Sequence, residues 1–102
     1  MFKFKLKRTE LHPFMLVGKY FLSEMGNYIK VHGVDGRDNV QSGKRIYENY
    51  VVKYSYMDKK WGDIKSSTAS FYAIVNRLKD GYIKFATENE VPVTLKKWEY
   101  SI

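Results

Sequence analysis

The clearest periodicity in this chain is helical, and it is confined to one short stretch. Phe71, Ile74, Val75 and Leu78 fall at i, i+3, i+4 and i+7, which places them on one stripe of a helix. The spacing predicts a helix over about 67–79. Ser66, Ser67 or Thr68 can supply the N-cap oxygen, Arg77 and Lys79 sit near the carbonyl end, and Gly81 stops the helix. An amphipathic helix must bury its stripe against something. The rest of the chain reads mainly in twos, so the partner is a sheet.

Phe2, Phe4 and Leu6 alternate with Lys3, Lys5 and Lys7, a half-buried strand with a lysine face. Residues 14–22 fit either a strand or a short helix, with Gly18 weakening the helix. Gly26-Asn27 then turns the chain into Tyr28 to Val34, so 14–34 is expected to be a hairpin. The stretch 35–43 is polar, glycine-flanked and loop-like. Arg45 to Met57 reads as one long strand, with Ile46, Tyr50, Val52, Tyr54 and Tyr56 on its core-facing side. After the helix, Asp80-Gly81 leads into a strand over 82–87, and a last strand covers 91–100. Within that last strand Val91, Val93 and Leu95 are odd while Trp98, Tyr100 and Ile102 are even. A β-bulge at Lys96-Lys97 would restore them to one face. The expected fold is therefore α+β: one domain over 1–102, ordered β-β-β-β-α-β-β, with an antiparallel sheet of five to six strands and one helix on one face.

The chain has enough apolar mass for this, 44% hydrophobic and 17% aromatic, and so is not of the disordered class. It contains no cysteine, which excludes disulfides, thiolate zinc sites and a cysteine nucleophile and tilts the expected location towards the cytoplasm. The N-terminus alternates and does not place charge before an apolar run, and the longest apolar run is Phe14-Met15-Leu16-Val17. Neither a signal peptide nor a membrane span is expected.

Catalytic and ligand-binding patterns are weak. His12 precedes Pro13 in a turn, and His32 shares a polar strand face with Lys30, so both histidines are expected at the solvated surface. Asp35-Gly36-Arg37-Asp38-Asn39 has the look of a calcium loop, but Arg37 occupies a ligand position. Gly43-Lys44 is followed by Arg45 where a phosphate-binding loop needs a hydroxyl. Lys79 to Phe85 lacks the second small residue and the aromatic spacing of an RNA-recognition strand. The expectation is a non-catalytic protein with no metal and no cofactor.

A net charge of +7, spread as +4 over residues 1–51 and +3 over 52–102, favours an anionic partner. Cations interleave with aromatics in Lys53 to Trp61, in Lys96 to Tyr100 and in Phe2 to Arg8. Nucleic-acid binders use such mixtures because cations neutralise phosphates while rings stack on bases. The same residues also serve as core and edge protection, with Trp98 and Tyr100 able to pack under the helix. The leading expectation is binding of nucleic acid or a nucleoprotein through Lys44, Arg45, Lys53, Lys59, Lys60 and Trp61. The alternative is an accessory or inhibitor protein that binds a host protein, using Arg37, Asp38 and Asn39 of the polar loop. In style the chain resembles the small, motif-free, lysine- and tyrosine-rich proteins of phage and mobile elements, including inhibitors of CRISPR and other defence systems. That resemblance implies the second role.

Overall fold

The computed structural model describes residues 12–36, 39–41, 44–46 and 50–100, with the backbone alone for 39–41 and 44–46. The expected strand at Phe2–Leu6 lies outside them. The fold is α+β, a five-stranded antiparallel sheet with a helix packed against it.

A 3-10 helix spans Pro13–Leu16 and leads to β1, Tyr20–Ser23. The stretch that read as strand or helix is thus both in succession. His12 starts the 3-10 turn, its Nδ1 accepting from the Phe14 N–H at 3.2 Å. Strand β2, Tyr28–Asp35, pairs with β1 through the expected Gly26-Asn27 turn. Gly26 has φ +87°, a conformation that favours glycine.

Beyond β2 the structure departs from the sequence reading twice. Asn39–Gln41 (β3) pairs with Lys44–Ile46 (β4), so part of the polar stretch 35–43 is hairpin, not loop. The register pairs Asn39 with Ile46, Val40 with Arg45 and Gln41 with Lys44. The long strand expected over 45–57 is therefore interrupted. Its main part is β5, Val51–Met57, paired with β2.

Strand β6, Ile64–Ser70, was absent from the sequence reading. It pairs along its whole length with β5 at the sheet edge, and only Ile64 and Ala69 in it are apolar. Ser66, Ser67 and Thr68 are strand residues, not helix caps. The cap of α1, Phe71–Asp80, is Ser70, whose hydroxyl accepts from the Ala73 N–H at 3.1 Å. The stripe Phe71, Ile74, Val75 and Leu78 is buried as expected, against Phe21, Ile29, Val31 and Val52. Gly81, at φ +84°, ends the helix, and the Tyr82 N–H returns to the Arg77 carbonyl at 2.9 Å.

Strand β7, Ile83–Ala86, joins the far side of β1, giving the order β6-β5-β2-β1-β7. The strand expected over 91–100 does not form. Val93–Lys96 is a short helix, α2, and no bulge sits at Lys96-Lys97. Val91 and Leu95 are both buried at i, i+4, and a helical turn shifts the phase that a bulge was invoked to shift. The register irregularity that does occur lies between Val31 and Gly33, around His32. Trp98 and Tyr100 do not lie under α1. The segment from α2 to Tyr100 crosses the opposite sheet face, where the Lys30 ammonium donates to the Lys96 carbonyl at 2.5 Å and the Trp98 carbonyl at 2.9 Å.

Among the described residues, no helix is long and apolar enough to cross a membrane.

Candidate functional site

The topology brings three chain reversals to one end of the sheet. Strands β1 and β5 run towards that end, and so does α1, because β6 has carried the chain away from it. The connections 24–27, 58–63 and 81–82 therefore meet there. Hydrogen bonds tie them together: the Glu24 N–H donates to the Tyr82 carbonyl at 3.0 Å, and the Lys59 N–H donates to the side-chain Oδ1 of Asn27 at 3.3 Å.

The β5–β6 turn is shaped by Asp58. One carboxylate oxygen accepts from the N–H groups of Lys60, at 2.7 Å, and Trp61, at 3.2 Å, while the Gly62 N–H closes on the Asp58 carbonyl at 2.7 Å. Lys59, Lys60 and Trp61 are exposed on this turn, with the Lys59 side chain lying over Gly26 of the neighbouring reversal. Trp61 is 70% exposed, and the Lys60 ammonium stands 5.0 Å from its ring centroid.

Next to this turn lies an open groove of about 470 Å³. Tyr54, Tyr56 and Tyr82 line it, with Ile29 and Ile83 beneath and Arg77 at its side. Tyr54 and Tyr56 are two residues apart on one strand, hence on one face, with ring centroids 6.2 Å apart. They pack against the core only in part, unlike Tyr50, which is buried as the sequence reading expected. Met25, at the β1–β2 turn, is 84% exposed beside them.

Of the six expected contact residues, the structure unites three: Lys59, Lys60 and Trp61. Lys53 is separated from them and faces the opposite side of the sheet. It pairs with Asp35, which by hydrogen bond first and charge second holds the Lys53 pKa above its usual value. Lys44 and Arg45 belong to the β3–β4 hairpin. The strand residues that flank that hairpin in sequence, Asp35 and Val51, pair at the other end of β5, about 20 Å along it from the turn. Asn39 opens the same hairpin, and Arg37 and Asp38 lie outside the described residues. Tyr54, Tyr56, Tyr82, Arg77 and Met25 were missed. The available signal was strand direction: once Gly26-Asn27 and Asp80-Gly81 are read as turns, alternating strands send both to the end that holds Lys59 to Trp61.

Neither histidine is simply solvated, which corrects the sequence reading. His12 caps the 3-10 helix and stacks on Phe14, with centroids 5.1 Å apart. His32 Nε2 lies 2.7 Å from the Ser55 hydroxyl, which lies 2.7 Å from that of Ser66. Burial, and secondarily the charge of Lys30, lowers the His32 pKa. Ser55 is fully closed to solvent, and its two neighbours satisfy its buried hydroxyl.

No family model, no curated protein and no solved structure matches this chain.

Proposed function

We propose that this chain is a non-catalytic binding protein that engages an anionic partner, nucleic acid or a nucleoprotein, through the end of the sheet where its three reversals meet. The observation that carries this reading is the presentation of Lys59, Lys60 and the exposed Trp61 on one turn beside an aromatic groove. Ammonium groups there meet phosphates, and the indole offers a stacking face. The lack of cysteine fits a cytoplasmic setting.

Fluorescence anisotropy with labelled single-stranded DNA, duplex DNA and RNA, each at low and near-physiological salt, tests the reading. Binding that weakens steeply with salt yet persists at physiological strength supports it. Binding to none of the three retires it.

One observation favours a second role, that of an accessory or inhibitor protein seated on a host protein. The groove lining is more apolar than ionic, and Met25 stands exposed at its edge. Aromatic and methionine side chains of this kind anchor protein interfaces. A partner captured by the wild-type protein and lost on Met25→Glu, with no nucleic acid bound by either, would establish that role in place of the first.

A further inference from the structure

We infer that the tyrosine groove is a base-accepting subsite selective for single-stranded nucleic acid, with Arg77 placed to meet the adjoining phosphate. The inference rests on the nucleic-acid reading above and adds to it a strand preference and a second set of residues.

Volume and lining support it together. About 470 Å³ lies in the range of sites for small planar ligands, and the walls are phenol rings over an Ile29–Ile83 floor. Tyr54 and Tyr56 present neighbouring rings, with planes inclined by 38°, and Tyr82 is 49% exposed across from them. An open groove walled by flat rings suits a planar base better than a branched aliphatic anchor, which needs an enclosing pocket. Every base has a stacking face, so such a platform tolerates sequence but requires an unstacked base. Duplex DNA keeps its bases stacked inside, which gives the preference for single strands.

Charge points the same way. Among the described residues, the Arg77 side chain has no ion-pair partner, and it flanks the groove. Glu24 is the one acid among the described lining residues, and it already has a partner of its own. Lys59 and Lys60 line an adjoining hollow that shares Met25 and Asn27 with the groove, so a strand with one base in the groove can run its phosphates past Arg77 and on towards the lysines.

The test compares the wild-type protein on three probes of equal length and about ten nucleotides: an oligothymidylate, the same backbone lacking its bases, and a duplex. The account expects the base-bearing single strand to bind roughly five- to a hundredfold tighter than the abasic strand, and tighter than the duplex. Tyr56→Ala should abolish most of that preference. Arg77→Gln, at an exposed helix position that tolerates change, should weaken the base-bearing strand severalfold, whereas Lys97→Gln, the same charge change on the other sheet face, should have less effect. Equal binding of base-bearing and abasic strands would overturn the groove assignment while leaving the charge-based reading intact. An unchanged preference in Tyr56→Ala, with Arg77→Gln no weaker than Lys97→Gln, would also overturn it. Binding of no probe would remove both the proposed function and this inference, and would direct the groove to a protein partner.

Discussion

The two faces of the sheet are covered by different chemistry. Under α1 the contact is apolar throughout, with Phe71, Ile74, Val75 and Leu78 on Phe21, Ile29, Val31 and Val52. Under the C-terminal segment the apolar anchors are Val91 and Leu95, and the rest is polar: Lys30 holds two carbonyls, and His32, Ser55 and Ser66 form a hydrogen-bonded chain. His32 also touches Tyr100, with ring centroids 5.4 Å apart. Apolar burial is non-directional and insensitive to pH, while the polar cover depends on geometry and protonation. The helix side should therefore carry most of the stability, and the C-terminal side should be the one that responds to conditions.

The contrast can be broken most sharply from the helix side. Phe71→Ala leaves a hole in the apolar layer and should cost about 3–5 kcal/mol in urea-induced unfolding. On the other face, Leu95→Ala should cost about 2–3 kcal/mol, since a four-residue helix can settle into the space more easily than α1 can. In a Trp61→Phe background, Trp98 becomes the single indole, and its emission should report loosening of the C-terminal segment in Leu95→Ala but not in Phe71→Ala below its unfolding transition. A Leu95 cost equal to that of Phe71 would end the claimed asymmetry.

Smaller changes sharpen it. Lys30→Met removes both bonds to the C-terminal segment, and the freed carbonyls can turn to water, so the loss should be about 1–2 kcal/mol. The pH response should be smaller still and has a definite sign. Burial first, and Lys30 second, lower the folded pKa of His32, so the fold favours the neutral ring. An unfolded histidine takes up its proton near pH 6.5. Stability present above about pH 6.5 is thus lost as pH falls towards the lower folded value. His32→Gln should flatten the decline between neutral and mildly acid pH, as followed by thermal melts, and an unaltered slope would assign the decline to other groups.

What was legible in the sequence follows the same division. The stripe of α1, its Gly81 stop, the β1–β2 turn and strand β7 rest on periodicity and turn chemistry that are local, and these could be read. Strand β6 could not, because an edge strand with two apolar residues among seven has no alternation to detect, and its serines imitate a cap. The segment 91–100 misled because an apolar pattern that changes phase is consistent with a bulge or with a helical turn, and Pro92 before Val93 favoured the latter. At the candidate site, Lys59 to Trp61 were found because cations and an aromatic are adjacent in sequence. Tyr54, Tyr56, Tyr82 and Arg77 were not, because their meeting depends on three reversals at one end of a sheet. Lys53 looked equivalent to its neighbours until the bulge-shifted register of β2 set it beside Asp35.

The central claim is that the turn carrying Lys59 and Lys60 contacts phosphates. The most direct test is the salt dependence of single-stranded DNA binding, measured for the wild type and for the double variant Lys59→Ala/Lys60→Ala. The account predicts weaker binding in the variant and a plot of log affinity against log salt that is shallower by about 1.4, the share of two phosphate contacts on a single strand. Equal affinity and an equal slope in the two proteins would contradict it and place the contact surface elsewhere on the molecule.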